Sequence, residues 1–280
     1  MRTWFITGVN SGFGRHLTGQ LLERGDRVAG TVRQGRDGAV RDLRARYGAR
    51  LWTAHLDVTG VPAVREVVGR AFAELGTVDV IVNNAGYGLF GAAEELTDAQ
   101  VDHVIATNLT GSIQVIRAAL PHLRAQGHGR IIQVSTYGGQ AASPGGSLYN
   151  ATKWGIEGFV EAVGQEVAGF GIGTTIIEPG GARTAFRYGS SQLGPRLPAY
   201  DGTPAAAARA MIEAREAVPA GDPARMAAVI IASAGQSPAP SRIALGSDSF
   251  TIIRAALAGR LAVLEAQEEL ARSTDFPPGQ

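Results

Sequence analysis

Residues 3–14 read TWFITGVNSGFG: five β-prone residues run into a turn where Gly8, Gly12 and Gly14 recur, and the stretch behind is apolar at Leu17, Leu21 and Leu22. The order is strand, glycine turn, helix. Gly8 permits a tight turn, Gly12 lets a phosphate approach the backbone, and Gly14 lets the helix lie close to the strand. The free amides and positive end of such a helix attract phosphate charge. A dinucleotide is therefore the expected ligand, held by Gly8, Asn10, Ser11, Gly12, Phe13 and Gly14.

Outward from this turn, β-prone runs alternate with segments of helical period. Strands are expected over 3–7, 27–32, 51–56, 78–83, 129–135, 172–178 and 241–246. Helices are expected near 13–24, 37–47, 61–75, 98–125, 148–169, 204–217, 222–234 and 249–272. The alternation predicts an α/β fold, a doubly wound parallel sheet of about seven strands with helices on both faces. No repeat or linker divides the chain, so residues 1–280 are expected to form one dinucleotide-binding and catalytic domain. A flexible flap is expected over about 181–203, where Gly189, Gly194, Pro195, Pro198 and Gly202 interrupt an apolar and aromatic stretch. A C-terminal strand and helix follow over about 241–272.

Composition narrows the function. With 26 basic against 25 acidic side chains and no basic block, the chain has no footprint for nucleic acid. The absence of Cys removes thiolate nucleophiles and Cys-based metal sites, and the five His form no H-E-x-x-H, so no metal is expected. No stretch approaches 18 apolar residues, so neither a membrane span nor a signal peptide is expected, and a cytoplasmic location follows as an expectation. Lys153 is the only lysine, the other 25 basic residues being arginine, and Tyr149 stands four positions before it on the same helix face. An ammonium beside a phenol favours phenolate and moves it toward neutral pH, which predicts a tuned acid/base pair.

The pattern T-G-x-x-x-G-x-G at 7–14, Asp57-Val58 after the third run, Asn83-Asn84-Ala85-Gly86 after the fourth, and Y-x-x-x-K at 149–153 resembles the short-chain dehydrogenase/reductase family. The resemblance implies that Asp57 and Val58 border the adenine, and that Asn84, Ala85 and Gly86 shape the cofactor site. It implies that Tyr149 exchanges a proton with substrate, that Lys153 binds the nicotinamide ribose, and that Asn108 supports a relay water. Pro179, Gly180 and Thr184 would lie near the nicotinamide carboxamide. For the hydroxyl that orients substrate there are two candidates, Ser135 and Thr136. The family's spacing of thirteen residues before the Tyr names Thr136, and the strand pleat puts Ser135 on the opposite face.

The second strand ends in Val32 where a ribose-binding carboxylate would be expected, with Arg33 next to it, so NADP(H) is preferred while NAD(H) stays possible. Tyr87, Leu89 and Phe90, with Phe186, Tyr188, Leu193, Pro195, Leu197 and Tyr200, suggest a partly apolar carbonyl or alcohol substrate. The expected function is an NADP(H)-dependent oxidoreductase interconverting carbonyl and secondary alcohol. A non-catalytic NADP(H)-binding redox sensor is the alternative. A homodimer or homotetramer is expected.

Overall fold

The computed structural model describes residues 1–214 and 218–276. Its strands are β1 (Thr3–Thr7), β2 (Arg27–Val32), β3 (Leu51–His55), β4 (Val80–Asn83), β5 (Leu89–Phe90), β6 (Gly129–Val134), β7 (Ile172–Pro179), β8 (Gln192–Leu193) and β9 (Arg242–Leu245). Seven form one sheet in the order β3-β2-β1-β4-β6-β7-β9, with every neighbouring pair parallel. A sheet of this kind is covered on both faces, which is why β1 is buried at all five positions and reads as a continuous rather than an alternating apolar run.

The helices are α1 (Gly12–Glu23), α2 (Arg41–Tyr47), α3 (Val61–Leu75), α4 (Asp98–Ile105), α5 (Ser112–Gln126), α6 (Ser147–Val167), α7 (Pro204–Ala214), α8 (Pro223–Ser233), α9 (Ser247–Glu265) and α10 (Glu268–Arg272). One core lies between the sheet and α1, α2 and α8, through Leu17, Leu21, Leu43 and Ile230. The other lies beneath α3, α5 and α6, through Val68, Ile116 and Val160. The sheet order reverses between β1 and β4, and the loops leaving those strand ends diverge to open a crevice.

Two expectations are corrected here. The helix expected over 98–125 is interrupted by a π turn at Ala106–Gly111, and the helix expected over 249–272 divides into α9 and α10. The flap carries structure of its own: a π turn at Phe186–Ser190 leads into β8, which pairs in parallel with β5 through Leu89 with Gln192 and Phe90 with Leu193. Pairs of two residues leave no periodicity to read. The last three residues of the helix expected over 204–217 lie outside the described residues.

Candidate active site

Backbone holds backbone at the nucleotide end of the crevice. Gly8 has φ +76°, and a Cβ on Gly14 would lie 2.1 Å from Gly8 O and 2.7 Å from Asn84 Nδ2. Asn84 Nδ2 donates to Thr7 O at 2.9 Å and Gly8 O at 3.0 Å, while Thr7 Oγ1 accepts from the amides of Asn84 and Ala85, both at 3.0 Å. The ends of β1 and β4 are thus tied together before any ligand arrives. Gly12, at φ +52°, would meet only Thr184 if it had a Cβ, at 3.7 Å. Ser11 caps α1 without a side-chain hydrogen bond and the first turn holds no acidic residue, so the positive helix end is uncompensated. That cradle fits a pyrophosphate. Asn10 and Ser11 stand half-buried on its rim, and Phe13 packs against the core.

Beyond β3, burial raises the Asp57 carboxyl. Hydrogen bonds from Thr59 N and Oγ1, with the Arg33 guanidinium and His103, outweigh this and hold it below its ordinary value. Asp57 and Arg33 therefore lie near one another beyond β3 and β2, both exposed. Val58 instead turns inward, where it leaves no room for a Cβ on Gly111.

The π turn in the helix run explains Asn108. Its Nδ2 donates to Tyr87 O at 2.8 Å and its Oδ1 accepts from Tyr87 N at 3.0 Å, a pairing with the backbone beyond Gly86. Widened turns of this sort re-aim one residue of a helix. That pairing holds the Tyr87 loop in place, so Asn108 positions the backbone beside Gly86. Gly86 is small because a Cβ there would lie 3.1 Å from Asn108 Oδ1 and 3.9 Å from Lys153 Nζ.

Tyr149, Lys153 and Glu157 occupy one buried face of α6, at successive intervals of four residues. Lys153 Nζ lies 5.8 Å from the centroid of the Tyr149 ring and donates to Val134 O at 3.1 Å. Burial pushes its ammonium down to about 8, against the opposing pull of Glu157. The Tyr149 phenol is pushed up, by burial first and then by Tyr137. The expected acidification is not what the structure gives: the phenol is desolvated and the amine is turned to Val134 O, so burial sets the direction of the shift. The two hydroxyl candidates separate as the pleat requires. Ser135 Oγ donates to the buried Glu157 carboxylate. Thr136 lies on the other face, donating to Pro179 O at 3.2 Å.

Glu157 was not read from the sequence. It also accepts from Gln140 Nε2 at 2.7 Å and pairs with Arg242, which reaches Glu178 and Glu161 as well. A Cβ on Gly139 would overlap it. This cluster fixes the back of α6.

At the end of β7, Gly180 is small because Asp248 packs against it, with Asp248 Oδ2 accepting from Gly181 N at 2.7 Å. Thr184 follows beside Gly12, its Oγ1 accepting from Phe186 N at 3.2 Å. The flap then lays Phe186 against one side of Tyr149, with centroids 5.8 Å apart, while Phe90 stands 5.7 Å away. Buried Arg209 of α7 holds the flap, donating to Glu95 Oε2 at 2.8 Å and Gly194 O at 2.9 Å, and Glu95 Oε1 accepts from Leu197 N at 3.0 Å. The side chain of Tyr188 lies outside what the structure describes.

A profile described as short chain dehydrogenase matches residues 2–192. The chain belongs to that family. It is 34% identical over 270 residues to the oxidoreductase BOA17 of Botryotinia fuckeliana, covering 96% of each chain. The crystal structure of a short-chain dehydrogenase from Streptomyces avermitilis superposes with a TM-score of 0.91 at 36% identity, over 98% of this chain and 100% of that one. A serine dehydrogenase, described as the closed form complexed with NADP+, is 26% identical with a TM-score of 0.71, over 87% and 93% of the two chains.

This short-chain dehydrogenase is thus an oxidoreductase with a Rossmann-like sheet. Of its site residues, sequence reasoning missed Thr7, Glu157, Glu95, Arg209 and Asp248. Thr7 alone carried a local signal, as a hydroxyl immediately before the glycine turn. Among the described residues no helix is long and apolar enough to cross a membrane.

Proposed function

We propose that the protein is an NADP(H)-dependent reductase of a partly apolar carbonyl, running also in reverse on the secondary alcohol. The observation that carries this reading is the Tyr149 phenol, buried between Phe90 and Phe186 and one helical turn from the only lysine. The dinucleotide would be held by Gly8, Asn10, Ser11, Gly12, Phe13 and Gly14 at the pyrophosphate, and by Asp57, Val58 and Arg33 at the adenosine. Asn84, Ala85, Gly86, Lys153, Pro179, Gly180 and Thr184 would surround the nicotinamide ribose and ring. When bound, the cofactor supplies the hydride. The NADP+ in the serine dehydrogenase supports the phosphorylated form, as does the exposed Arg33 next to Val32, which stands where NAD-selective sites carry a carboxylate.

Burial raises Tyr149 and so keeps the phenol protonated at neutral pH, the form that donates to a carbonyl oxygen gaining charge. Thr136 lies on the face opposite Ser135, where its hydroxyl would turn from Pro179 O to donate to that oxygen. Asn108 keeps the Tyr87 loop in place, and the aromatic walls exclude water. In the alcohol direction the phenol must first lose its proton, a step that burial opposes.

Tyr149→Phe tests this reading. Absorbance at the reduced-nicotinamide band, with NADPH and a panel of carbonyls, should show turnover falling at least roughly a thousandfold, with NADPH affinity unchanged within about threefold. Full turnover in that variant excludes Tyr149 as the proton donor. On the same panel, Arg33→Ala should raise KM for NADPH about tenfold and leave KM for NADH unaltered. Equal effects on both would withdraw the 2′-phosphate from Arg33.

A further inference from the structure

The last two helices do not behave like the rest of the molecule. In α9 only Ser249 and Ile253 are buried and Ala256 is half-buried, and every residue from Leu257 to Phe276 is exposed. The helix is tied to the body at one further point, where Arg260 lies over the Trp154 ring at 4.7 Å and donates to Gln140 at 3.2 Å. Beyond it α9 runs on to Glu265 and α10 follows to Arg272, exposing Leu261, Val263, Leu264 and Leu270 at 54, 61, 68 and 65% of their surface. A detached helix of about a dozen residues is marginal in water, and contiguous apolar surface on this scale marks a contact.

At 100° per residue, Phe250, Leu257, Leu261 and Leu264 fall on one stripe, beside the stripe of Ser249, Ile253 and Arg260 that meets the body. Arg254 and Glu265 stand three turns apart on the same flank of that stripe. Their opposite signs are spaced symmetrically about a point between Gly259 and Arg260. Two copies of α9 packed antiparallel about a two-fold axis there would set Arg254 of each against Glu265 of the other. The same axis brings Leu257 of each beside Leu261 of the other. The surface is complementary to itself, as a two-fold contact requires.

We propose that α9 pairs antiparallel with α9 of a second copy of this chain, through Leu257, Leu261 and Leu264, with Arg254 and Glu265 setting its direction. A membrane surface fits less well. Glu265, Glu268, Glu269 and Asp275 against Arg272 make the exposed end acidic, whereas helices that lie on anionic lipid are basic along their polar face. The inference is independent of the cofactor and of the proton donor.

Sedimentation velocity on the full chain at micromolar concentration should show a dimer or a multiple of it. Leu257→Glu combined with Leu261→Glu should weaken self-association at least roughly a hundredfold. Its circular dichroism and melting temperature should stay close to the parent's when both are monomeric, because both side chains are exposed. Arg254→Glu alone should weaken association about tenfold, and adding Glu265→Arg should restore it, which general loss of helix would not do. A monomeric parent, a Leu257→Glu/Leu261→Glu variant as associated as the parent, or a charge-exchanged double variant no better than Arg254→Glu would each overturn the proposal. So would a monomeric parent that co-sediments with phosphatidylserine vesicles and loses this in the leucine variant, which would assign the helix to lipid.

Discussion

The two ends of the crevice are built on opposite principles. At the nucleotide end, contacts run between backbone and short side chains within two strand–turn units: Gly14 against Gly8, Thr7 and Asn84 across the ends of β1 and β4. At the end proposed for substrate, large side chains arrive from remote segments. Phe90, Tyr149 and Phe186 meet there, and Arg209 pairs with Glu95 across 114 positions of chain. A ligand common to many enzymes can be met by fixed backbone, whereas a varied substrate is met by exchangeable side chains on loops. The first arrangement confines its residues to spaced motifs, and the second leaves them free to vary.

The largest effect is expected from Gly14→Ala. Its methyl group would lie 2.1 Å from Gly8 O, and relief requires breaking the Asn84 bonds that close the turn. Urea unfolding should show a loss of about 4 kcal/mol or more, together with loss of dinucleotide affinity. Gly19, in the same helix, has nothing within 4 Å of a built Cβ. Gly19→Ala should therefore stabilise by roughly 0.5 to 1 kcal/mol. If both changes carry the same sign, close approach is not what Gly14 is for.

Lys153 stands at the junction of the two ends and should show the next largest effect, of opposite sign. An unfolded lysine titrates near 10.5, and burial brings folded Lys153 to about 8. Below pH 8 both states are protonated and burial of the charge costs about 3 kcal/mol. Between 8 and 10.5 the unfolded chain holds a proton that the folded chain has released, so stability rises with pH across that window. Lys153→Met should then be about 3 kcal/mol more stable than the parent at pH 7 and almost equal to it above 10.5, while losing turnover. Val134 O keeps Gln133 Nε2 as a donor, so no carbonyl is stranded. Equal stability at pH 7 would show that the ammonium is compensated where it lies.

How much could be read in advance follows the same division. The seven main strands, the glycine turn, Asn84, Tyr149 and Lys153 were legible because each is set by local period or by spacing within one unit. Thr136 was separable from Ser135 because a pleat alternates, and Ser135 duly turns to Glu157. The π turn at Ala106–Gly111 was not legible: it answers to the backbone of Tyr87, which no helical period encodes. Glu157 sits four residues past Lys153 in plain view, yet its role depends on Arg242, 85 positions away on β9. The shift of Tyr149 was misjudged for a related reason. Proximity to an ammonium is readable from spacing, but burial of the ring, with Phe90 and Phe186 beside it, depends on remote segments.

The smallest effect on global stability is expected at the flap, and it separates the two ends most cleanly. Removing one partner of a buried ion pair commonly costs roughly 3 to 5 kcal/mol, because the other charge is left without solvent. Arg209→Ala should cost less than that, since Gly194–Leu197 can lift away and let water reach Glu95, exchanging global loss for local opening. The variant should be cleaved faster by protease within 186–203. With a responsive carbonyl its KM should rise about tenfold while the dissociation constant for NADPH stays constant, because no Arg209 contact reaches Thr7, Gly8 or Asn84. A parallel loss of nucleotide affinity would mean that the flap and the glycine turn move as one body, and the division between a backbone-built end and a side-chain-built end would have to be given up.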